Sequence, residues 1–365
     1  MTLFKANARW IGWKDFFGEV GDTLLVVRFS SLGDVVHTIP AVRYLKESNP
    51  KARLIWVVNK GYEPLLEPLP FEDRVIPMFP GREGFKAALS QVRVEKPMVA
   101  YDFQGLLKSG LFVFFSGAKE RIGLPAHQAR ESLGSWLLNS KVEVDPTLHV
   151  VEQWMMLASK GSAFPTPSFE LRVTEGEMER ARALLGPLGI RGPYLVFLPG
   201  AGWPTKRWPV ENFLWLAEMV RDRFSLPSLV LWGPQDEDIV IPLRGESRVK
   251  VAPLTTIREM MAILNGGLVV IGGDTGPLHV AAALGRPTLG LYGPSYAWRN
   301  GPYGNRSLIL EVACSQKGCY KRKCKKECVA SIPKEMVWDA LQVMLEEEMD
   351  HGEWRHEAGP YMGIG

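Results

Sequence analysis

Short apolar runs alternate with amphipathic segments along most of the chain, and turns rich in Gly, Asp and Pro separate them. In residues 1–150, the runs that predict buried strands cover 24–29, 53–58, 74–78 and 98–103. A further short element begins at Glu120. The segment 35–47, between the first two runs, has the length and spacing of a helix. Strands that alternate with helices in this way predict a parallel, doubly wound α/β sheet.

The alternation stops once and then resumes. The stretch 161–172, GSAFPTPSFELR, is rich in Pro and Ser and predicts a linker. Thr174 and Glu177 then form the pattern of a capping box, which predicts a helix start. Further strands are predicted over 194–198, 228–232 and 268–271. The sequence therefore predicts an N-terminal domain over 1–168, a C-terminal domain over 169–348 and a disordered tail over 349–365.

The segment 268–294, LVVIGGDTGPLHVAAALGRPTLGLYGP, predicts a strand, a polar loop, a helix and a second strand over 288–292. Pro277 stands at the first helical position and Gly285 closes the helix. The free amides at such a helix start favour a phosphate, and polar loops at strand ends bind ligands in open α/β sheets. His279, in the first turn, can point to the same place. The residue types also fit an ordinary strand–helix turn with a buried histidine.

Three other strand ends carry groups suited to chemistry. Asp34 follows the first strand at a helix start, where the helix dipole stabilises the carboxylate and allows it to take a proton from a hydroxyl. Lys206, in a Gly-rich loop, offers a cation for a phosphate. Asp236 and Glu237, after the next strand, can accept hydrogen bonds from the hydroxyls of a sugar or a ribose.

Composition limits the classes of function. The chain has 365 residues, 46% of them apolar and 23% charged, as in a globular protein large enough for two domains. A net charge of +3 does not point to nucleic acid. No apolar run is long enough to span a bilayer, and residues 1–20 lack the apolar core of a signal peptide. We therefore expect a cytoplasmic protein.

Residues 1–20 place aromatic side chains at roughly helical spacing among basic residues. A helix that packs on its own domain and an amphipathic helix on a membrane surface both fit this pattern.

Four cysteines lie close together in the sequence: Cys314, Cys319, Cys324 and Cys328. They are separated by four, four and three residues, and several lysines lie among them. In a cytosolic chain such a cluster is compatible with a structural metal site, although the spacing lacks the paired CxxC of zinc sites. Free or redox-labile thiols are the alternative. We expect the cluster to lie away from the loops that form the cleft.

Three segments together resemble the ADP-heptose:lipopolysaccharide heptosyltransferases of glycosyltransferase family 9. They are RFSSLGDVVHTIP (28–40), LPGAGWPTKRWP (198–209) and GGDTGPLHVAAALGRPTLGLYGP (272–294). YDFQGLLKSGL (101–111) and HQARESL (127–133) look more like the branch that adds the first heptose. The resemblance implies a glycosyltransferase B fold, in which two Rossmann-like domains face a central cleft, the N-terminal one binding the acceptor and the C-terminal one the donor.

The resemblance also implies the reaction and its participants. Heptose would pass with inversion from ADP-L-glycero-D-manno-heptose to the Kdo region of Kdo-lipid A, without a cofactor or a metal at the reacting centre. The acceptor would lie at the inner membrane, so the enzyme would act peripherally on its cytoplasmic face.

Residue roles follow from the same resemblance, position by position. Asp34 matches the catalytic base. The positions that match donor-binding residues are Lys206, Thr205, Asp236, Glu237, Asp274, Thr275, Gly276 and His279. Those on the acceptor side are Ser31, Gly33, Arg82, Lys108 and Arg130.

Other functions remain open from the sequence. The second-heptose transferase, an epimerase or another transferase of the same fold would use similar loops. A non-catalytic nucleotide-sugar-binding protein would also use them. A nicotinamide dehydrogenase is disfavoured, because PGAGWP (199–204) lacks the third glycine of GxGxxG.

Overall fold

The structure is a computed structural model that describes residues 23–67, 69–312, 314, 318–324 and 328–350. The first half of the chain contains β1 (Thr23–Val27), α1 (Leu32–Ser48), β2 (Arg53–Asn59), α2 (Glu63–Leu66), β3 (Arg74–Met78), α3 (Gly81–Val94), β4 (Val99–Asp102), α4 (Leu107–Phe115), β5 (Glu120–Gly123), α5 (Ser132–Ser135), β6 (Ser140–Lys141) and α6 (Val150–Ala158). The second half contains α7 (Glu175–Leu185), β7 (Leu195–Leu198), α8 (Val210–Phe224), β8 (Ser228–Val230), α9 (Glu237–Val240), β9 (Lys250–Val251), α10 (Ile257–Gly266), β10 (Val270–Gly273), α11 (Gly276–Ala283), β11 (Thr288–Tyr292), α12 (Ala297–Asn300), β12 (Ser307–Glu311) and α13 (Lys334–Asp350).

Each half is built on a six-stranded sheet, with orders β3-β2-β1-β4-β5-β6 and β12-β11-β10-β7-β8-β9. Every strand pair is parallel. The first strand of each half lies at the centre of its sheet, next to the fourth. The first three strands extend to one side and the last three to the other, so the strand order reverses at this point. That reversal opens a crevice at the carboxyl ends of the strands, where ligands bind in such folds. The predicted fold class is confirmed.

Strand β1 shows why the apolar runs become buried strands. Leu25 and Val27 pack into one apolar cluster, while Leu24 and Val26 pack into another on the opposite face of the sheet. All four are at most 2% exposed. Because alternate residues of a strand point to opposite faces, a strand covered by helices on both sides must be apolar throughout.

Helix α1 connects the two halves. It packs against α6 of the first half and against α11 of the second. One apolar cluster accordingly contains Val26 and Ile39 together with Leu278 and Val280. The starts of α1 and α11, which carry the predicted catalytic and donor groups, are therefore held side by side.

The described residues include the predicted linker but only part of the predicted terminal segments. The proposed linker, 161–172, contains neither helix nor strand, and the domain boundary stays a prediction. Residues 349 and 350 belong to α13, while the rest of the predicted tail and the helix predicted in residues 1–20 lie outside the described residues. Among the helices of the described ranges, none has the length and apolar character needed to cross a bilayer.

Candidate active site

A cavity of about 610 Å³ lies between the two halves, at the carboxyl ends of their central strands. Its walls come from the loops after β1, β4, β7 and β10 and from the segments around them. Nine of the residues predicted from the sequence line it: Ser31, Gly33, Asp34, Arg130, Lys206, Asp274, Thr275, Gly276 and His279. The structure thus brings most of the predicted groups to one cavity.

Asp34 lies in the first turn of α1 and forms a capping box with Ser31. The backbone N–H and the hydroxyl of Ser31 donate to Asp34 Oδ2, at 2.9 and 2.8 Å. Arg28 Nη2 lies 2.5 Å from Asp34 Oδ1. Burial raises the pKa of Asp34, but Arg28 and the Ser31 hydrogen bonds outweigh it and hold the pKa below its ordinary value. Asp34 is therefore an anion across the neutral pH range and can accept a proton.

Arg28 was not predicted as a site residue. It is the last residue but one of the apolar run LLVVRF (24–29) and follows β1 directly, is 5% exposed, and donates from Nη1 to the carbonyl oxygen of Phe103. Its guanidinium carbon lies 5.3 Å from the centroid of the Trp154 ring. These contacts fix Arg28 beside Asp34. A charged residue at the end of an otherwise apolar strand was the signal in the sequence that could have found it.

Asp274 holds the second centre of charge, in the loop after β10. Its Oδ2 accepts from Lys206 Nζ at 2.5 Å and from the Ser295 hydroxyl at 2.7 Å. Burial raises its pKa, yet His279 and Lys206 together hold the pKa well below the usual range. The Lys206 ammonium also lies 4.5 Å from the centroid of the Trp203 ring. Lys206 is thereby aimed at the cavity as a cation.

The rings of three histidines, His279, His37 and His149, lie in a row that starts at Asp274. His279 Nε2 lies 3.2 Å from Asp274 Oδ1, and His279 Nδ1 lies 3.2 Å from His37 Nε2. The ring of His149 is 5.5 Å from that of His37, and its Nε2 lies 2.9 Å from the Gly301 carbonyl oxygen. Burial and the neighbouring His279 hold the pKa of His37 well below its usual value. His37 is therefore uncharged at neutral pH, and its ring has one nitrogen that donates a hydrogen bond and one that accepts.

The first turns of α1 and α11 touch. A Cβ built on Gly33 would lie 2.6 Å from His279 Cδ2, and one built on Gly276 would lie 2.7 Å from Leu32 Cβ. Both distances are shorter than carbon atoms tolerate, so only glycine fits at either position. The two helix starts, with their free N–H groups, therefore face the same cavity.

Three predicted donor residues lie outside the residues that line the cavity. Thr205 is buried, and its hydroxyl donates to the Lys321 carbonyl oxygen at 2.7 Å. Asp236 accepts from the Gly233 N–H at 3.1 Å, and its carboxylate lies against Gly200, so it reaches the Gly-rich loop that carries Lys206. Burial raises the pKa of Asp236. Glu237 is exposed in the first turn of α9.

Two predicted acceptor residues are also outside that set. The Lys108 ammonium lies 5.4 Å from the centroid of the Phe29 ring, next to the loop that carries Ser31. Arg82 is exposed in the first turn of α3. Neither α3 nor α4 contributes a residue that lines the cavity, but Lys108 follows three residues after Gly105, which does.

The cysteine segment lies against the cleft, so the prediction that it would lie away from the cleft loops is wrong. Tyr320 lines the cavity, and Arg322 is 5.5 Å from the centroid of the Trp203 ring. This segment comes after β12, the edge strand of the second sheet, and its Lys321 carbonyl oxygen accepts from Thr205, next to Lys206.

Cys314, Cys319, Cys324 and Cys328 are free thiols. Burial raises the pKa of Cys328, and the other three cysteines raise it further. Over the ranges that the structure describes, no group of three or more His, Cys, Asp or Glu side chains is placed to hold a metal ion. The structural metal site considered from the sequence is therefore not supported.

Besides Arg28, the sequence reasoning missed several residues of the cavity wall. Gln104 accepts at Oε1 from the Phe29 and Ser30 N–H groups and so holds the loop before Asp34. Trp203 and Tyr320 bring aromatic rings to the same wall of the cavity as Lys206. The sequence could have indicated Trp203, because it stands beside Lys206 in a Gly-rich loop. His37 gave no such signal, since its partner is distant in the chain.

Comparison with known proteins places this geometry in a family. Residues 89–330 match glycosyltransferase family 9 (heptosyltransferase). Lipopolysaccharide heptosyltransferase 1 of Pseudomonas aeruginosa is 31% identical over 320 residues, which are 82% of this chain and 87% of that protein.

Solved structures agree in fold. The structure of Escherichia coli heptosyltransferase WaaC with ADP has a TM-score of 0.71 and 25% identity, covering 88% of this chain and 99% of that one. Escherichia coli ADP-heptose lipopolysaccharide heptosyltransferase II has a TM-score of 0.74 and 24% identity, covering 90% and 99%. The second of these supports the fold alone.

Proposed function

We propose a donor, an acceptor and a catalytic base for this chain, which belongs to glycosyltransferase family 9, the heptosyltransferases. The protein is a glycosyltransferase that transfers heptose in the assembly of the lipopolysaccharide inner core. The observation that carries the assignment of roles is one cavity lined by both Asp34 and the Lys206–Asp274 pair. A base and a site for a leaving anion then face each other across a single cleft.

The proposed donor is ADP-heptose. Its diphosphate would lie against the Lys206 ammonium and the free amides at the start of α11, which together favour an anion. Thr275, Gly276 and His279 complete this wall. Asp236, which contacts Gly200 of the donor loop, would accept from ribose or heptose hydroxyls, with Thr205 and Glu237 supporting the same region.

The proposed acceptor is Kdo-lipid A, which carries carboxylates and phosphates. Ser31, Gly33 and Arg130 would line the acceptor side of the cavity, and the Lys108 ammonium lies over the ring of Phe29, two residues before Ser31. Cations at this edge suit an anionic sugar on a lipid anchor. Arg82 would meet more distant phosphates. The lipid anchor of the acceptor implies that the enzyme acts peripherally at the cytoplasmic face of the inner membrane.

The proposed chemistry is a direct displacement. Asp34 removes the proton of the acceptor hydroxyl while that oxygen bonds to the anomeric carbon of heptose. The bond from that carbon to the ADP oxygen breaks, which inverts the configuration. Negative charge grows on the leaving diphosphate, where Lys206 and the α11 amides stabilise it. Removing one such contact typically costs about 3 kcal/mol of transition-state stabilisation.

Mass spectrometry of the product tests the proposal. The purified protein is incubated with ADP-heptose and Kdo-lipid A, and we expect one added heptose together with released ADP. Kdo-lipid A that already carries one heptose is the matched acceptor, and an ADP-hexose is the matched donor. Transfer only to the heptosylated acceptor would assign the chain to the second step instead. Release of ADP without any transfer product would contradict the proposed acceptor.

A further inference from the structure

Helix α4 presents an apolar face that the described residues cover only in part, with the Arg121 guanidinium carbon 5.4 Å from the centroid of the Phe114 ring. Leu107, Leu111, Phe114 and Phe115 lie on one side of the helix, because their spacing of three, four and seven residues matches the helical repeat. Leu107 is 37% exposed, Phe114 45% and Phe115 44%. The opposite side of α4, with Ser109 and Phe112, packs into the protein. A large apolar side chain that is nearly half exposed costs free energy in water unless something covers it.

Helix α5 extends this apolar face. Leu133 is 53% exposed and Trp136 71%. The two helices cross with their backbones in contact, since a Cβ on Gly110 would lie 2.5 Å from the Gly134 carbonyl oxygen. That contact holds α5 beside α4. We call the face formed by Leu107, Phe114, Phe115, Leu133 and Trp136 the α4–α5 surface.

Cations border the α4–α5 surface. A surface groove of about 480 Å³ lies beside Phe114 and Phe115 and is lined also by Arg93, Lys96 and Lys119. Among the described residues that line this groove there is no carboxylate. All three basic side chains are exposed. Apolar side chains bordered on one side by cations are complementary to an anionic lipid surface, which offers hydrocarbon below and phosphate groups above.

The α4–α5 surface adjoins the acceptor side of the cleft. The residues Gln104 and Gly105, just before α4, line the cavity, as does Arg130, just before α5. The Glu131 carboxylate accepts from the Leu107 N–H at 2.7 Å and ties these two helix starts together. A flat surface that contacts α4 and α5 would therefore reach the opening of the acceptor site.

We propose that the α4–α5 surface docks the enzyme on an anionic lipid bilayer, with Phe114, Phe115 and Trp136 in the interfacial region and Arg93, Lys96 and Lys119 on the lipid phosphates. The proposal rests on the proposed function, because it explains how an acceptor with a lipid anchor reaches Asp34. It identifies the partner by its chemistry, which is an apolar interface covered by negative charge.

Binding to vesicles tests the proposal without any acceptor. The full chain is sedimented with phosphatidylglycerol vesicles or with phosphatidylcholine vesicles. We expect preferential binding to the anionic vesicles and a loss of about tenfold or more in that affinity for Phe114→Ser/Phe115→Ser. Lys96→Gln/Lys119→Gln should lower the preference for anionic lipid. The control is Ile241→Ser/Leu254→Ser, which removes two side chains that are 55% and 56% exposed in the other half.

Transfer assays separate docking from catalysis. With Kdo-lipid A in detergent micelles, Phe114→Ser/Phe115→Ser should keep the wild-type rate, and with the acceptor in vesicles it should lose about tenfold. Wild-type binding by the double variant overturns the proposal. The proposal is also overturned if the wild type forms a dimer that the same substitutions dissociate, because the surface would then be an interface between copies of the chain. If wild type binds vesicles but transfers no heptose, the proposed function fails while docking stands.

Discussion

Asp34 combines a local structural task with the proposed chemical one. Its Oδ2 closes the capping box of α1, while its Oδ1 meets Arg28. The first contact was within reach of sequence reasoning, although it was not predicted, because a capping box depends on residues three apart. The sequence cannot predict the second, because Arg28 is fixed by Phe103 and Trp154, which lie far along the chain. The position of Asp34 and a stabilised carboxylate were thus predictable, whereas the Arg28 contact that lowers its pKa was not.

Asp34→Asn should abolish heptose transfer and leave ADP binding nearly unchanged. An amide keeps the size of the side chain but cannot take up the proton, and a general base typically contributes ~100-fold or more to the rate. Turnover and calorimetric ADP affinity are measured on the same preparation. Asp145→Asn, at an exposed aspartate of the same half, is the control. A kcat above about one tenth of wild type would remove the base assignment.

Lys206→Ala should weaken ADP-heptose binding and slow transfer together, because the charge on the diphosphate acts in the ground state and in the transition state. It also leaves the buried Asp274 without its cation, which places a negative charge beside the phosphates. Calorimetry with ADP and steady-state kinetics measure the two effects. Lys250→Ala, at an exposed strand residue of the same half, should change neither. Unchanged ADP affinity in Lys206→Ala would place the lysine away from the phosphates.

At the scale of elements, the strand–helix junctions were the most predictable part of the chain. Strand β3 (Arg74–Met78) and strand β11 (Thr288–Tyr292) have the predicted bounds. Strands β6 (Ser140–Lys141) and β9 (Lys250–Val251) were not predicted, because two residues are too few to show a period. The fold depends on apolar runs that are local in the sequence. The site depends on which junctions meet across the two sheets.

Gly33→Ala should disturb the contact between α1 and α11. The added methyl would press on the His279 ring, which its hydrogen bonds to Asp274 and His37 hold in place. Overpacking of this kind costs about 1–3 kcal/mol. We expect a lower thermal midpoint and slower transfer.

Gly176→Ala is the matched control for that substitution, because it lies in α7, where only an Arg180 side-chain atom lies within reach, at 3.8 Å. Alanine favours an exposed helix position over glycine, so this variant should be as stable as wild type or slightly more. Equal stability of the two variants would show that α1 and α11 can separate without cost.

For the whole molecule, a group of buried and half-buried histidines lies where the halves meet. His37 on α1 contacts His279 on α11, and the ring of His149, which caps α6, lies 5.5 Å from that of His37. Burial lowers the pKa of His149 to about 4. The sequence could not predict this cluster, because its members come from both halves and meet only when the two sheets pack together. Their shared environment makes the stability of the molecule depend on pH.

Stability should fall as the pH drops below the ordinary histidine value. His37 and His149 have pKa values lowered from 6.5 in the folded protein, so between that value and about 4 the unfolded chain binds more protons. Their contribution is complete above pH 6.5 and is lost as the pH falls toward the folded pKa. Asp102, whose pKa burial raises to about 6, acts in the opposite direction.

Comparing the wild type with a double histidine variant separates the effect of the histidines from that of Asp102, which both proteins contain. The thermal midpoint is measured at about pH 7 and at about pH 5 for wild type and for His37→Asn/His149→Asn. Each buried histidine can contribute up to about 1.4 kcal/mol per pH unit to the slope. The variant should be less stable at neutral pH because it loses packing, yet its midpoint should drop less on acidification. An equal or larger drop in the variant would mean that the two imidazoles are not buried in the neutral form between the halves.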